Sequence, residues 1–302
     1  MPAPRPLDRA AIVLVILFCA IWALQQVAAK LALPEVGPLT QAAIRSAVAG
    51  VLVTLYGWLR EPRMFARDGT LLPGVLAGVL FGLEFVALFL GLAATTAGRA
   101  TMFLYTAPFF LALGVALALP NERLSRRQWL GLALSFLGVA LALGVARAGA
   151  GASLAGDGLA MAAGAIWAAT TLVIKSTALR AAPPVKTLAI QLVVSAPILA
   201  LAAWLAGEAF PGALSETALA ALAYQTLIVA CVSYLGWFSL ITRYRAGELS
   251  AFTFLTPIFG MVAGWLALGE TLSADFALAV GLVAVGILLV NWPGRDLRQS
   301  SP

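Results

Sequence analysis

The side chains best placed to do chemistry here are an indole and a nearby polar group, and the combination occurs twice. Trp22 is followed by Gln25 and Gln26, and Trp167 by Thr170 and Thr171. Trp22 and Gln26 are four residues apart and share a helical face, as do Trp167 and Thr171. Such a face suits a cavity, where the ring offers apolar area and the amide or hydroxyl orients a ligand. Helix packing is the competing reading, disfavoured because unsatisfied amides are costly in lipid. Glu84 is the one acidic residue deep within an apolar run. A carboxylate at the centre of a bilayer costs about 2.5–3.5 kcal/mol, so it is expected to face protein or water. Two roles stand for it. One is proton exchange or attraction of an ammonium group, and the other is a structural pair with Arg45. Arg45 itself is expected to snorkel toward an interface, with capture of a ligand carboxylate as the sharper option. Lys30 and Lys175, near the ends of their apolar runs, read as snorkelling anchors.

Pro108 and Pro257 sit inside apolar runs, where proline removes a backbone donor and bends a helix. They are expected as kinks, serving either as hinges or as static bends. Tyr105, three residues before the first kink, has a hydroxyl that needs a partner and is a cavity candidate. So are Tyr234 and Trp237, three apart on one face of an aromatic-rich stretch. Gly74, Gly78 and Gly82, and likewise Gly260 and Gly264, form small-residue rows that let helices approach closely. The first row ends two residues before Glu84, so its packing is expected to orient that carboxylate.

These residues need helices that cross lipid. Of 302 residues, 62% are hydrophobic and only 11% charged, and the mean hydropathy is +0.98. About a quarter of an ordinary soluble domain is charged. Runs of about 20 apolar residues, the length that spans a bilayer, fall near 10–32, 39–59, 71–94, 99–119, 128–146, 156–177, 187–206, 217–242, 249–268 and 274–292. Arg5, Arg9 and the run that follows have the form of a signal peptide, but that run has an internal counterpart and is expected to remain as a span. Pro183-Pro184, Pro211-Gly212 and Gly149–Ser153 read as turns or linkers. Cys19 and Cys231 lie within spans, so no structural disulfide is expected.

The chain is also internally repetitive. Ala20-Ile21-Trp22-Ala23 with Lys30 returns as Ala165-Ile166-Trp167-Ala168 with Lys175, and Gly98, Phe103 and Pro108 return as Gly247, Phe252 and Pro257. Glu122-Arg123-Leu124-Ser125 becomes Glu270-Thr271-Leu272-Ser273. Two units are expected, residues 1–148 and 149–302, each with five spans. An odd number of spans inverts the second unit in the membrane. The basic residues agree with that alternation. The N-terminus, 60–67, 123–127, 175–186, 243–245 and the C-terminus carry nearly all of them, against Lys30, Arg99 and Arg147 on the other side. Both termini are therefore expected in the cytoplasm.

In the Trp22 and Trp167 segments, the two proline segments and the repeated Glu-x-Leu-Ser link, the chain resembles the drug/metabolite transporter superfamily. Its likeness is to the bacterial EamA-like exporters, and among them to exporters of aromatic and other neutral amino acids. The resemblance implies an all-α polytopic membrane protein of ten transmembrane helices, two inverted five-helix repeats around a central cavity. Spans 5 and 10 would lie outside that basket. It further implies a secondary transporter in the bacterial inner membrane, exporting small amphipathic metabolites by alternating access. Trp22, Gln26, Glu84, Tyr105, Trp167, Thr171, Tyr234 and Trp237 are the expected substrate contacts. Efflux of lipophilic cations is the nearest alternative.

Other classes fit less well. The chain has no histidine and no Gly-Lys-Ser/Thr loop, which argues against histidine-assisted enzymology and direct ATP drive. Nor does it show the carbonyl filter or charge rings of a channel. The net charge of +6 is scattered through short loops, so no nucleic-acid partner is expected, and no cofactor or metal. The expected partners are a small-molecule substrate and membrane lipid.

Overall fold

Proline and the ends of apolar runs set the helix boundaries. A computed structural model describes residues 5–95, 97–118, 124–142, 153–209, 212–268 and 275–292. Glu122, Arg123 and Glu270–Ser273 lie outside them, as do Arg147, residues 149–152, Pro211, Arg295 and Arg298. The described residues are helical, apart from turns, loops and a single bridge between Arg5 and Tyr244.

Helix α1 (Arg9–Ala32) begins where the Asp8 carboxylate accepts the Ala11 N–H at 2.8 Å. Helix α2 (Pro38–Arg60) starts on a proline, whose missing N–H costs nothing in a first turn. Helix α3 (Leu71–Ala94) follows. The next apolar run breaks in two, α4 (Ala97–Leu104) and α5 (Ala107–Ala118), at a turn just before Pro108. There Thr106 turns its N–H and hydroxyl back to the Phe103 carbonyl, at 3.1 and 2.5 Å. Helix α6 is Arg126–Ala142.

The second half of the chain repeats these devices. Helix α7 (Leu154–Ser176) is capped by Ser153, whose hydroxyl accepts the Gly156 N–H at 3.3 Å. Helix α8 (Pro184–Leu205) again starts on proline. Next comes one continuous helical run made of α9 (Glu216–Ala223), a π-helical stretch (Tyr224–Ser233) and α10 (Tyr234–Arg243). Helices α11 (Ala246–Phe252) and α12 (Leu255–Leu268) are separated by a turn at Thr253-Phe254, ahead of Pro257. Helix α13 is Phe276–Asn291. Both expected kinks are thus outright breaks, with each proline in the first turn of a new helix where its ring clashes with nothing.

Among the described residues seven segments are long and apolar enough to cross a membrane: α1, α2, α3, α7, α8, α9–α10 and residues 246–263. Helices α5 and α13 are apolar but shorter, and α6 has 17 residues. The bundle pairs α2 with α8 and α6 with α13, and sets α3 against α7 and α8. Helix α1 packs on α12, α9 and the π stretch, while α4 and α5 pack on α7. The Gly74, Gly78 and Gly82 row acts as expected. A methyl on these glycines would meet Ile190, Val194 and Ile198 of α8 at 2.9, 2.6 and 3.0 Å. In the second row Gly260 does not, since a methyl on it would meet nothing within 4 Å. A small residue there serves no close contact. Outside, large apolar side chains are exposed, among them Val51, Leu117 and Leu266, with Trp58, Trp204 and Trp292 near helix ends. That is the surface expected of a body solvated by lipid with indoles at its interfaces.

Candidate functional site

All eight residues expected to contact a ligand line one cavity of about 130 Å³. Trp22 and Gln26 come from α1, Glu84 from α3, Tyr105 from the break before α5, Trp167 and Thr171 from α7, and Tyr234 and Trp237 from α10. Gln26 is exposed and lies toward the Ala32 end of α1. Ile174, fully buried, lines the far end.

The walls are aromatic and locked in place. Trp22 donates its indole N–H to Ser233 Oγ at 2.9 Å, and Ser233 in turn donates to the Val229 carbonyl at 2.7 Å inside the π stretch. The indole thus shows the cavity only ring surface. Trp22 meets Trp237 edge-on at 5.2 Å, Tyr105 meets Trp167 at 6.0 Å, and Phe81 meets Tyr234 at 5.9 Å. Thr171 is less free than the sequence suggested. Its hydroxyl proton is directed to the Trp167 carbonyl at 3.3 Å, as Thr170's is to Ile166 at 3.0 Å. Both therefore present lone pairs, not donors, to the cavity. Pro108 lines a much smaller adjoining void of about 10 Å³, room for about one water. Pro257 is buried and does not line the cavity.

Glu84 is the only lining residue with a formal charge. It is 8% exposed, and its Oε2 has no hydrogen-bond partner. Arg45 does not snorkel. It is 1% exposed, with its guanidinium 4.5 Å from the Phe85 ring centroid and 5.9 Å from that of Tyr234. Those two rings give it cation–π contacts in place of water. Its Nε and Nη2 remain without partners. Lys175 also departs from the anchor reading, for it is 2% exposed and donates to the Tyr244 carbonyl at 2.9 Å. Lys30 is exposed.

Several lining residues were not singled out from sequence: Phe81, Phe85, Leu88, Leu104, Gln191 and Thr256. Gln191 is the informative one, an amide in the middle of an apolar run, 1% exposed with its Oε1 unpartnered. The cost of burying an amide was the available signal. Among the described residues no cluster of three or more His, Cys, Asp or Glu could hold a metal ion. Both cysteines are free thiols.

Hydrogen bonds tie the loops together at the two ends of the bundle. At one end Arg5 N–H donates to the Arg243 carbonyl, Tyr244 OH to Asp8 at 2.6 Å, and Lys186 to Asp68 at 2.8 Å and to the Ala66 carbonyl. At the other, Glu208 accepts the free N–H groups of Leu39 and Thr40 at 3.1 and 2.7 Å, and Glu35 accepts from Ser215.

A body of lipid-facing helices around an aromatic-walled cavity with a few polar groups suits a membrane transporter. The chain belongs to the EamA-like transporter family, which matches residues 9–144 and again 154–292. It is 27% identical over 300 residues to the "Probable amino-acid metabolite efflux pump" of Salmonella typhimurium, covering 95% of this chain and 96% of that one. It is 26% identical over 302 residues to "Uncharacterized transporter YvbV" of Bacillus subtilis, covering 98% and 96%. A solved crystal structure with 20% identity superposes with a TM-score of 0.80 over 95% of this chain and 99% of that one, a likeness of fold. Family and relatives are transporters, and the chain is a membrane transporter, not an enzyme.

Proposed function

We propose that this chain is a secondary transporter that exports small amphipathic metabolites, aromatic and other neutral amino acids first among them, by alternating access. One observation carries the reading: a cavity walled by Trp22, Trp167, Trp237, Tyr105 and Tyr234 that contains one carboxylate. The rings cover a substrate's apolar part, while Gln26, Gln191 and Glu84 meet its polar end. The name of the Salmonella relative points the same way.

The architecture in this proposal is ten spans in two inverted units, residues 1–148 and 149–302, with α4–α5, α9–α10 and α11–α12 each counted as one span. Three features support it: the family matches each half separately, the helix breaks precede equivalent prolines, and exchanging the halves maps most of the helix pairings onto one another. The α2–α8 and α6–α13 pairs map onto themselves, while α1 on α12 maps onto α7 on α5. On the positive-inside bias, both termini lie in the bacterial cytoplasm and the Gln26 end of the cavity lies toward the outside.

Counterflow into proteoliposomes tests the function. Saturable exchange of phenylalanine, competed by other neutral amino acids and not by tetraphenylphosphonium, is expected. Saturable exchange of the cation alone would overturn the amino-acid assignment in favour of drug efflux, for which rings and a carboxylate also suit. Unsaturable flux would replace the carrier with a channel.

A further inference from the structure

We propose that Arg45 sets the net charge of the solute this cavity carries: by offsetting Glu84 from behind the wall, it selects solutes of zero net charge. The inference rests on the amino-acid reading above and asks which residue enforces it. Arg45 does not line the cavity. Its guanidinium lies behind Phe85 and Tyr234, both lining residues, and Phe85 is the chain neighbour of Glu84. Among the described residues no hydrogen bond or ion pair joins the two groups, and each keeps polar atoms without partners. A direct pair would have consumed those atoms. With both groups buried, one in the wall and one behind it, the two charges leave the cavity nearly neutral overall yet polar.

That arrangement favours a zwitterion. An ammonium group is drawn to Glu84, while a carboxylate on the Arg45 side meets a positive field. A monocation gains the first interaction but meets the repulsion of Arg45, and a monoanion meets that of Glu84. With so little water, neither imbalance is screened as it would be at a surface. Arg45 acts here through its field and is a positioning residue, so its charge matters more than its shape.

Three probes that share one ring separate the possibilities: phenethylamine (cation), phenylalanine (zwitterion) and 3-phenylpropanoate (anion), each measured by counterflow near neutral pH. Wild type is expected to prefer phenylalanine by about tenfold or more over either analogue. Arg45→Gln should shift preference toward phenethylamine and Glu84→Gln toward phenylpropanoate. Arg45→Lys should keep the wild-type order, and the double variant Arg45→Gln/Glu84→Gln should move back toward it. If Arg45→Gln does not give a monodisperse protein, Glu84→Gln and the double variant carry the same test. Equal losses for all three probes in both single variants, with wild type still carrying phenylalanine, would overturn the charge role and leave the amino-acid reading standing. Wild type that carries none of the three would remove both.

Discussion

In the proposed site Trp22 would serve packing and recognition together. Its N–H is committed to Ser233, so the ring is held broadside to the cavity, and Trp237 braces its edge. Trp22→Phe keeps a ring but loses that tether, worth about 1 kcal/mol. The KM for phenylalanine in counterflow is expected to rise about fivefold with little change in thermal stability, and an unchanged KM would remove Trp22 from the site. Outside the membrane, Asp68 offers a pH test. Its hydrogen bonds from Lys186 hold its carboxyl at about 2, below the ordinary 3.8. A carboxyl depressed on folding adds stability above its ordinary value and loses it as pH falls toward its folded one. The difference in Tm between wild type and Asp68→Asn in detergent should be full at about pH 5, small by about pH 2 and gone by about pH 1. A difference that does not vary with pH would mean the Lys186 contact adds nothing through charge. Residue types alone exposed Trp22, Trp167 and Glu84, because an indole pair and a carboxylate in apolar runs are conspicuous. They misplaced Arg45 and Lys175, because snorkelling depends on which side a helix turns to lipid, and only the packed bundle decides that.

At the scale of elements, α6 and α13 stand apart from the cavity and hold each other through glycine. A methyl on Gly131 would meet the Gly286 carbonyl at 2.6 Å, and one on Gly138 the Ala279 carbonyl at 2.7 Å. Gly138→Val must push the two helices apart, so Tm and yield should fall while substrate preference stays as in wild type. A changed preference would tie this pair to the cavity after all. The breaks before Pro108 and Pro257 were readable as bends, since proline announces itself. That they are full interruptions was not, because Thr106 and Thr253 complete the turns with side-chain and backbone bonds to carbonyls three residues back. The π stretch at Tyr224–Ser233 had no sequence mark at all. Its residues are ordinary for a span, and the extra residue per turn shows only in the backbone. It nonetheless supplies Ser233, on which Trp22 depends.

For the whole molecule, hydropathy and charge made the class legible, since so few charges and so many apolar runs fit no soluble domain. The enclosure of a cavity was not legible in the same way, as it needs side chains from helices far apart in sequence. The proposed orientation is open to a direct check. With Cys19 and Cys231 replaced by alanine, single cysteines at exposed Ala66 and Gly212 should behave oppositely in intact cells. A membrane-impermeant maleimide is expected to label Gly212→Cys at once and Ala66→Cys only after permeabilisation. Labelling of both from outside would break the inverted arrangement.

The chamber takes Trp22 and Glu84 from before the junction of the two halves, and Trp167, Gln191 and Tyr234 from after it. On the proposed alternating-access mechanism, a solute bound there would be gripped by both jaws at once, and its bulk would decide whether they can shut behind it. An aromatic amino acid enlarged at the ring, too big to be swallowed but still seated by its head group, would act as a doorstop. Such a compound should jam the carrier without being carried, and so offers a natural starting point for an inhibitor.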